Sequence, residues 1–98
     1  MKQKNSLFQV HLLEAEIFSF EKSDHEAKSS YTAAIESAKQ SNAIHEQGLA
    51  CELFGLHYRK IGDRQAALKL LQQAKECYQR WGCQVKVESI TQHMVNME

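Results

Sequence analysis

Ninety-eight residues with a mass of 11.3 kDa allow one small domain. Twelve Lys and Arg balance twelve Asp and Glu, so the chain lacks the basic excess that captures a nucleic acid or an anionic membrane, and both partners are disfavoured. Proline is absent, glycine occurs four times and 43% of residues are hydrophobic, a composition poor in helix breakers that predicts an all-α fold.

Periodicity divides the chain into five helical segments. The first, from about Ser6 to Glu21, carries Leu7, Val10, Leu13, Ile17 and Phe20 at spacings of three and four, which make one apolar stripe. Ser23 or Asp24 can cap the second, whose inward set to about Gln40 is Ala27, Tyr31, Ala34, Ile35 and Ala38. Ser41 and Asn42 break the chain again. The third runs from about Ala43 to Ile61 and ends at Gly62, a residue suited to the left-handed turn. Leu49, Ala50, Cys51, Leu53, Phe54, Leu56, Tyr58 and Ile61 wrap most of its circumference, so a neighbour is expected on two sides. Gly48 and Gly55 each cost this helix about 1 kcal/mol relative to Ala, a loss that close approach of another helix offsets. Asp63 caps the fourth, which presents Ala67, Leu70, Leu71, Ala74, Cys77, Tyr78 and Trp81 as core and closes at Gly82. A fifth, from about Gln84 to Asn96, sets Val87, Ile90 and Met94 on one side.

An internal repeat organises these segments. Ala27, Tyr31 and Ala34 recur 40 residues on as Ala67, Leu71 and Ala74, while Leu13, Ala15 and Phe18 recur at that offset as Leu53, Gly55 and Tyr58. The fifth segment follows at an offset of 36, with Val87, Ile90 and Met94 answering Cys51, Phe54 and Tyr58. Two helical hairpins (6–40 and 43–81) plus a terminal helix (84–96) are expected to stack as a right-handed α-solenoid, each burying its apolar face on its neighbour.

The run Phe54-Gly55, Tyr58, Ala67, Leu71 and Ala74 resembles the tetratricopeptide repeat, TPR, in its order of large, small and aromatic positions. Cys51 stands where that family favours Trp, and Gln79 where it favours a closing Pro. Residues 37–90, with His45-Glu46-Gln47-Gly48-Leu49-Ala50-Cys51-Glu52-Leu53 and Trp81-Gly82, resemble the helical repeats of large multidomain signalling ATPases, many of them kinases fused to sensor histidine kinases. The resemblance implies a regulatory or scaffolding arm of a larger protein. It also implies that the first helix of each pair lines a concave surface. That surface would present Leu12, Leu13, Glu16 and Phe20 from one hairpin and Leu49, Glu52, Leu53, Leu56, Arg59 and Lys60 from the next. Such a largely apolar groove suits an amphipathic segment of a protein or peptide partner, neighbouring domains of the parent chain, or a second copy in a homodimer. Relatives that grip an acidic chaperone tail carry Lys and Asn where this chain has Leu12, Glu16 and Leu53, so that clamp is not expected.

Motifs for chemistry are missing. His25-Glu26 and His45-Glu46 begin like a zinc-protease motif, but Ser29 and Leu49 occupy the place of its second histidine. Neither a phosphate-binding G-x-x-x-x-G-K-[ST] nor a G-x-S-x-G elbow occurs, so no enzyme, metal or cofactor is expected. Arg59, Lys60, Arg64, Lys69, Lys75, Arg80 and Lys86, interleaved with Tyr58, Tyr78 and Trp81, offer a nucleic-acid alternative that Asp63, Glu76 and Glu88 dilute into a solvated face. Cys51, Cys77 and Cys83 form no C-x-x-C pair, and the first residues show no apolar signal core. Reduced thiols and a cytoplasmic location follow as expectations.

Overall fold

The computed structural model describes residues 4–97. Five α-helices follow one another, α1 (Lys4–Phe20), α2 (Asp24–Gln40), α3 (Ile44–Lys60), α4 (Arg64–Trp81) and α5 (Gln84–Val95), with no strand among the described residues. Every helix therefore starts 20 residues after the last. The turns explain this regularity: Lys22, Asn42, Gly62 and Gly82 all adopt positive φ, at 65°, 55°, 90° and 88°. After each, a backbone N–H reaches back to close the helix, Ser23 to Phe18, Ala43 to Ala38, Asp63 to Tyr58 and Cys83 to Tyr78, at 2.8–3.0 Å. This is the six-to-one Schellman closure, and it satisfies carbonyls that a helix end otherwise leaves open. Gly62 and Gly82 take the left-handed geometry without a Cβ clash, whereas Lys22 and Asn42 hold it against one. Of the caps, Asp63 accepts from the Ala66 N–H at 3.2 Å, while Ser23 makes no side-chain cap bond.

Consecutive helices run antiparallel, as paired contacts show: Gly48 lies against Tyr78 while Gly55 lies against Leu71. α3 is the central element, packed on α2 on one side and α4 on the other. Its small residues permit that. A Cβ on Gly55 would meet Leu71 Cγ at 2.9 Å and the Ala67 carbonyl oxygen at 3.2 Å, and one on Gly48 would meet the Tyr78 ring at 3.0 Å. On the other side Ala50 meets Ala34 and Ala38, together with Phe8. Tyr31 stacks on Phe54 with centroids 5.1 Å apart, and Phe54 on Tyr58 at 4.8 Å, so three rings run from α2 into α3. Cys51, Leu71, Ala74, Tyr78, Val87 and Ile90 form the second half of the core. The Cα envelope measures 44 × 33 × 16 Å. Its least dimension matches two helix layers at the usual separation of about 8–10 Å.

Three expectations are corrected. The apolar stripe of α1 is not its buried face: Leu7, Val10, Leu13, Ile17 and Phe20 are 46–84% exposed, and α1 instead buries Phe8, Ala15 and Ser19 against α2 and α3. Trp81 is not core; half of it is exposed and it lies 5.2 Å from the His45 ring. α5 keeps the 40-residue register of α3 and not an offset of 36, because the turn at Gly82 starts it 40 residues after Ile44. Ile90 thus occupies the place of Ala50, each facing the preceding helix.

Burial pushes the Cys51 thiol up to about 12 and raises Cys77 as well, so both stay protonated and unreactive. Gly55→Ala should destabilise the chain by about 1–3 kcal/mol, because overpacking against Leu71 outweighs a gain of about 1 kcal/mol in helix propensity. Urea denaturation followed by circular dichroism measures the difference, and a variant as stable as the parent would contradict the close α3–α4 contact.

Candidate functional site

The parallel helices α1 and α3 lie side by side, joined over the α1–α2 turn by polar contacts. Between them and α2 opens a depression of about 180 Å³ lined by Glu16, Ser19, Tyr31, Leu53, Leu56, His57 and Lys60. Four of the ten residues expected in a groove, Glu16, Leu53, Leu56 and Lys60, meet here. The other six are dispersed. Leu12 is half-buried against Phe8 and the Tyr31–Phe54 cluster, and Leu49 is half-buried on α3. Leu13 and Phe20 are exposed on α1. Arg59 is exposed and lines a separate depression of about 220 Å³ with Gly62, Arg64, Asn96 and Met97, its Nη1 3.5 Å from His93 Nδ1. Glu52 does not face a groove at all. It is buried, accepts from the Tyr78 hydroxyl at 2.8 Å and pairs with Lys86 at 3.1 Å, which holds α3 to α4 and α5.

The floor of the α1–α3 depression is a buried polar relay. His57, only 3% exposed, places Nδ1 2.8 Å from Ser19 Oγ and Nε2 2.7 Å from Asp24 Oδ1. An ionised Asp24 only accepts, so Nε2 carries its proton and, in the neutral ring, Nδ1 accepts from the Ser19 hydroxyl. Lys60 Nζ donates to both the Ser19 carbonyl and its Oγ at 2.8 Å. Tyr31 donates to the Glu16 carboxylate from α2. Desolvation first, and then this hydrogen bond to a carboxylate, raise the Tyr31 phenol above its ordinary range and keep it protonated. The bond from His57 holds the Asp24 carboxyl below its ordinary 3.8, with Lys28 at 3.1 Å adding to the effect.

Ser19, His57 and Asp24 have the composition of a nucleophilic triad, but their arrangement ties helices together. Ser19 sits inside a helix, its oxygen already engaged by an ammonium and an imidazole, and every buried side-chain polar atom among the described residues has a partner. Low dielectric makes such a network costly to break and so fixes the register of three helices. No three His, Cys, Asp or Glu side chains among the described residues converge as a metal set. No helix among the described residues is long and apolar enough to cross a membrane. Comparison with family models, curated proteins and solved structures gives no match.

Ser19 and His57 escape periodicity because a polar side chain on a buried face reads as a defect in an apolar pattern. The available signal is their separation of 38 residues, close to the repeat, which places both near the same end of parallel helices. His57→Leu keeps the volume but removes two hydrogen bonds, leaving buried Ser19 to Lys60 and the partly exposed Asp24 to Lys28, and should cost about 1–3 kcal/mol in urea denaturation. Asp24 has a lowered pKa in the folded chain, so its contribution is complete above about pH 3.8 and is lost as pH falls through the lower folded value. Asp24→Asn should flatten the acid limb of the stability curve; an unchanged acid limb would show that the His57 contact does not form.

Proposed function

We propose that this chain is a non-catalytic helical-repeat module of the TPR type that mediates protein association. In this reading the hairpins stack as a right-handed solenoid, and the module serves as a regulatory arm of a multidomain signalling protein. The observation that carries the proposal is the 40-residue equivalence of helix starts and left-handed turns. It brings residues from corresponding positions of α1 and α3, Glu16 and Leu56, onto one depression. Leu53 and Leu56 give that depression an apolar wall, while Glu16 and Lys60 supply opposite charges at its edge. A short amphipathic helix matches this chemistry, with apolar residues one turn apart for the leucines and polar residues for the flanking charges.

A display library of amphipathic helices, screened against the purified chain and quantified by fluorescence anisotropy, tests the reading. Leu53→Asp and Leu56→Asp should each weaken selected helices tenfold or more, about 1.4 kcal/mol, while circular dichroism stays helical. Binding unaffected by both substitutions would remove the α1–α3 face from the proposal.

A further inference from the structure

α1 carries two apolar faces, and only one is used. Phe8 and Ala15 are buried, and Leu12 is half-buried, against α2 and α3, while Leu7, Val10, Leu13, Ile17 and Phe20 follow the helical period on the far side at 55, 48, 62, 46 and 84% exposure. The stripe runs from Leu7 to Phe20, 14 residues or about 20 Å of helix. The middle of the corresponding face is covered on the later first helices: Ala50 and His57, which occupy the places of Val10 and Ile17, are buried against α2, and Ile90 is buried against α4, whereas Leu53 and Lys60, in the places of Leu13 and Phe20, line the α1–α3 depression. The uncovered side chains present roughly 600 Å² of surface, at the upper end of what a monomer usually shows in one apolar patch.

We infer that this outer face of α1 is a homodimer interface, in which α1 of one copy lies antiparallel on α1 of another. Two observations favour a second copy. An antiparallel pairing centred between Leu13 and Glu14 sets Leu7 against Phe20 and Val10 against Ile17, so the stripe complements itself. The other exposed large apolar residues among those described, Ile61, Trp81, Val85 and Val95, sit at helix ends and form no second stripe. A copy can therefore cover this face only with its own, through a two-fold contact that closes at the dimer. The available area falls somewhat short of the about 800 Å² per partner of a standard interface. With flanking Gln9 and Glu21 it suffices for a reversible dimer, which a net charge of zero does not oppose.

This face is distinct from the α1–α3 depression, so the two inferences fail separately. Sedimentation of the full chain from about 5 to about 500 µM should show the mass rising from 11.3 kDa towards twice that value. Ile17→Lys should hold it at the monomer mass across the range with unchanged helicity, whereas Leu56→Asp should leave the dimer intact. In a Cys83→Ser background, Leu13→Cys should oxidise to a cross-linked dimer faster than Val85→Cys, which reads the pairing even if Ile17→Lys fails to fold. A chain monomeric throughout assigns the stripe to another protein or a neighbouring segment and overturns the inference. A dimer that survives Ile17→Lys, or that Leu56→Asp abolishes, overturns it equally.

Discussion

The seam between α2 and α3 is the contact on which the molecule depends. Each hairpin closes its own local contacts through a three-residue turn, and this seam does most of the joining of the two into one core, with the α1–α3 contacts of Ser19, His57 and Lys60 beside it. It does so with two devices. Tyr31 lies flat on Phe54, and Ala34 and Ala38 meet Ala50 with almost no side chain between the backbones. Small residues bring the helices close at one part of the seam, and the rings pack at the other. In a chain of this size one such layer is a large share of the apolar burial, and loss of its fit would leave two hairpins too small to stand alone.

Polar groups reinforce the same joints. His57 connects α3 to Ser19 of α1 and Asp24 of α2. Tyr78 and Lys86 meet Glu52 in the second half, where Lys86 also lies 5.2 Å from the Tyr78 ring centroid. Both networks sit between helices distant in sequence and have their donors matched by acceptors, which is the condition under which buried polar groups specify a register and do not merely cost desolvation energy. Leu53 and Leu56, which line the depression facing the first network, stand on a helix pinned at His57.

Much of the architecture is legible in the residues. Gly62 and Gly82 mark their turns, and the alanines of α2 and α4 mark the close contacts. Asn42 marks its break as well, since Asn tolerates the left-handed region, whereas Lys22 adopts the same geometry without announcing it. The face of α1 is the instructive error. Its strongest hydrophobic period belongs to the exposed side, because Ala15 and Ser19 bury well while contributing little to an apolar pattern, and large residues dominate any reading by period. Glu52 misleads in the opposite sense: an acidic residue on a first helix suggests a solvent-facing groove position, yet a tyrosine and a lysine from two other helices draw it inward.

Nuclear Overhauser contacts in the labelled protein test the α2–α3 seam most directly. The structure requires cross-peaks between the rings of Tyr31 and Phe54, and between the methyl groups of Ala34 or Ala38 and that of Ala50, with those alanine amides among the slowest to exchange. Rings that contact only residues of their own hairpin, with rapid exchange across both helices, would contradict a joined core and with it the two-layer arrangement.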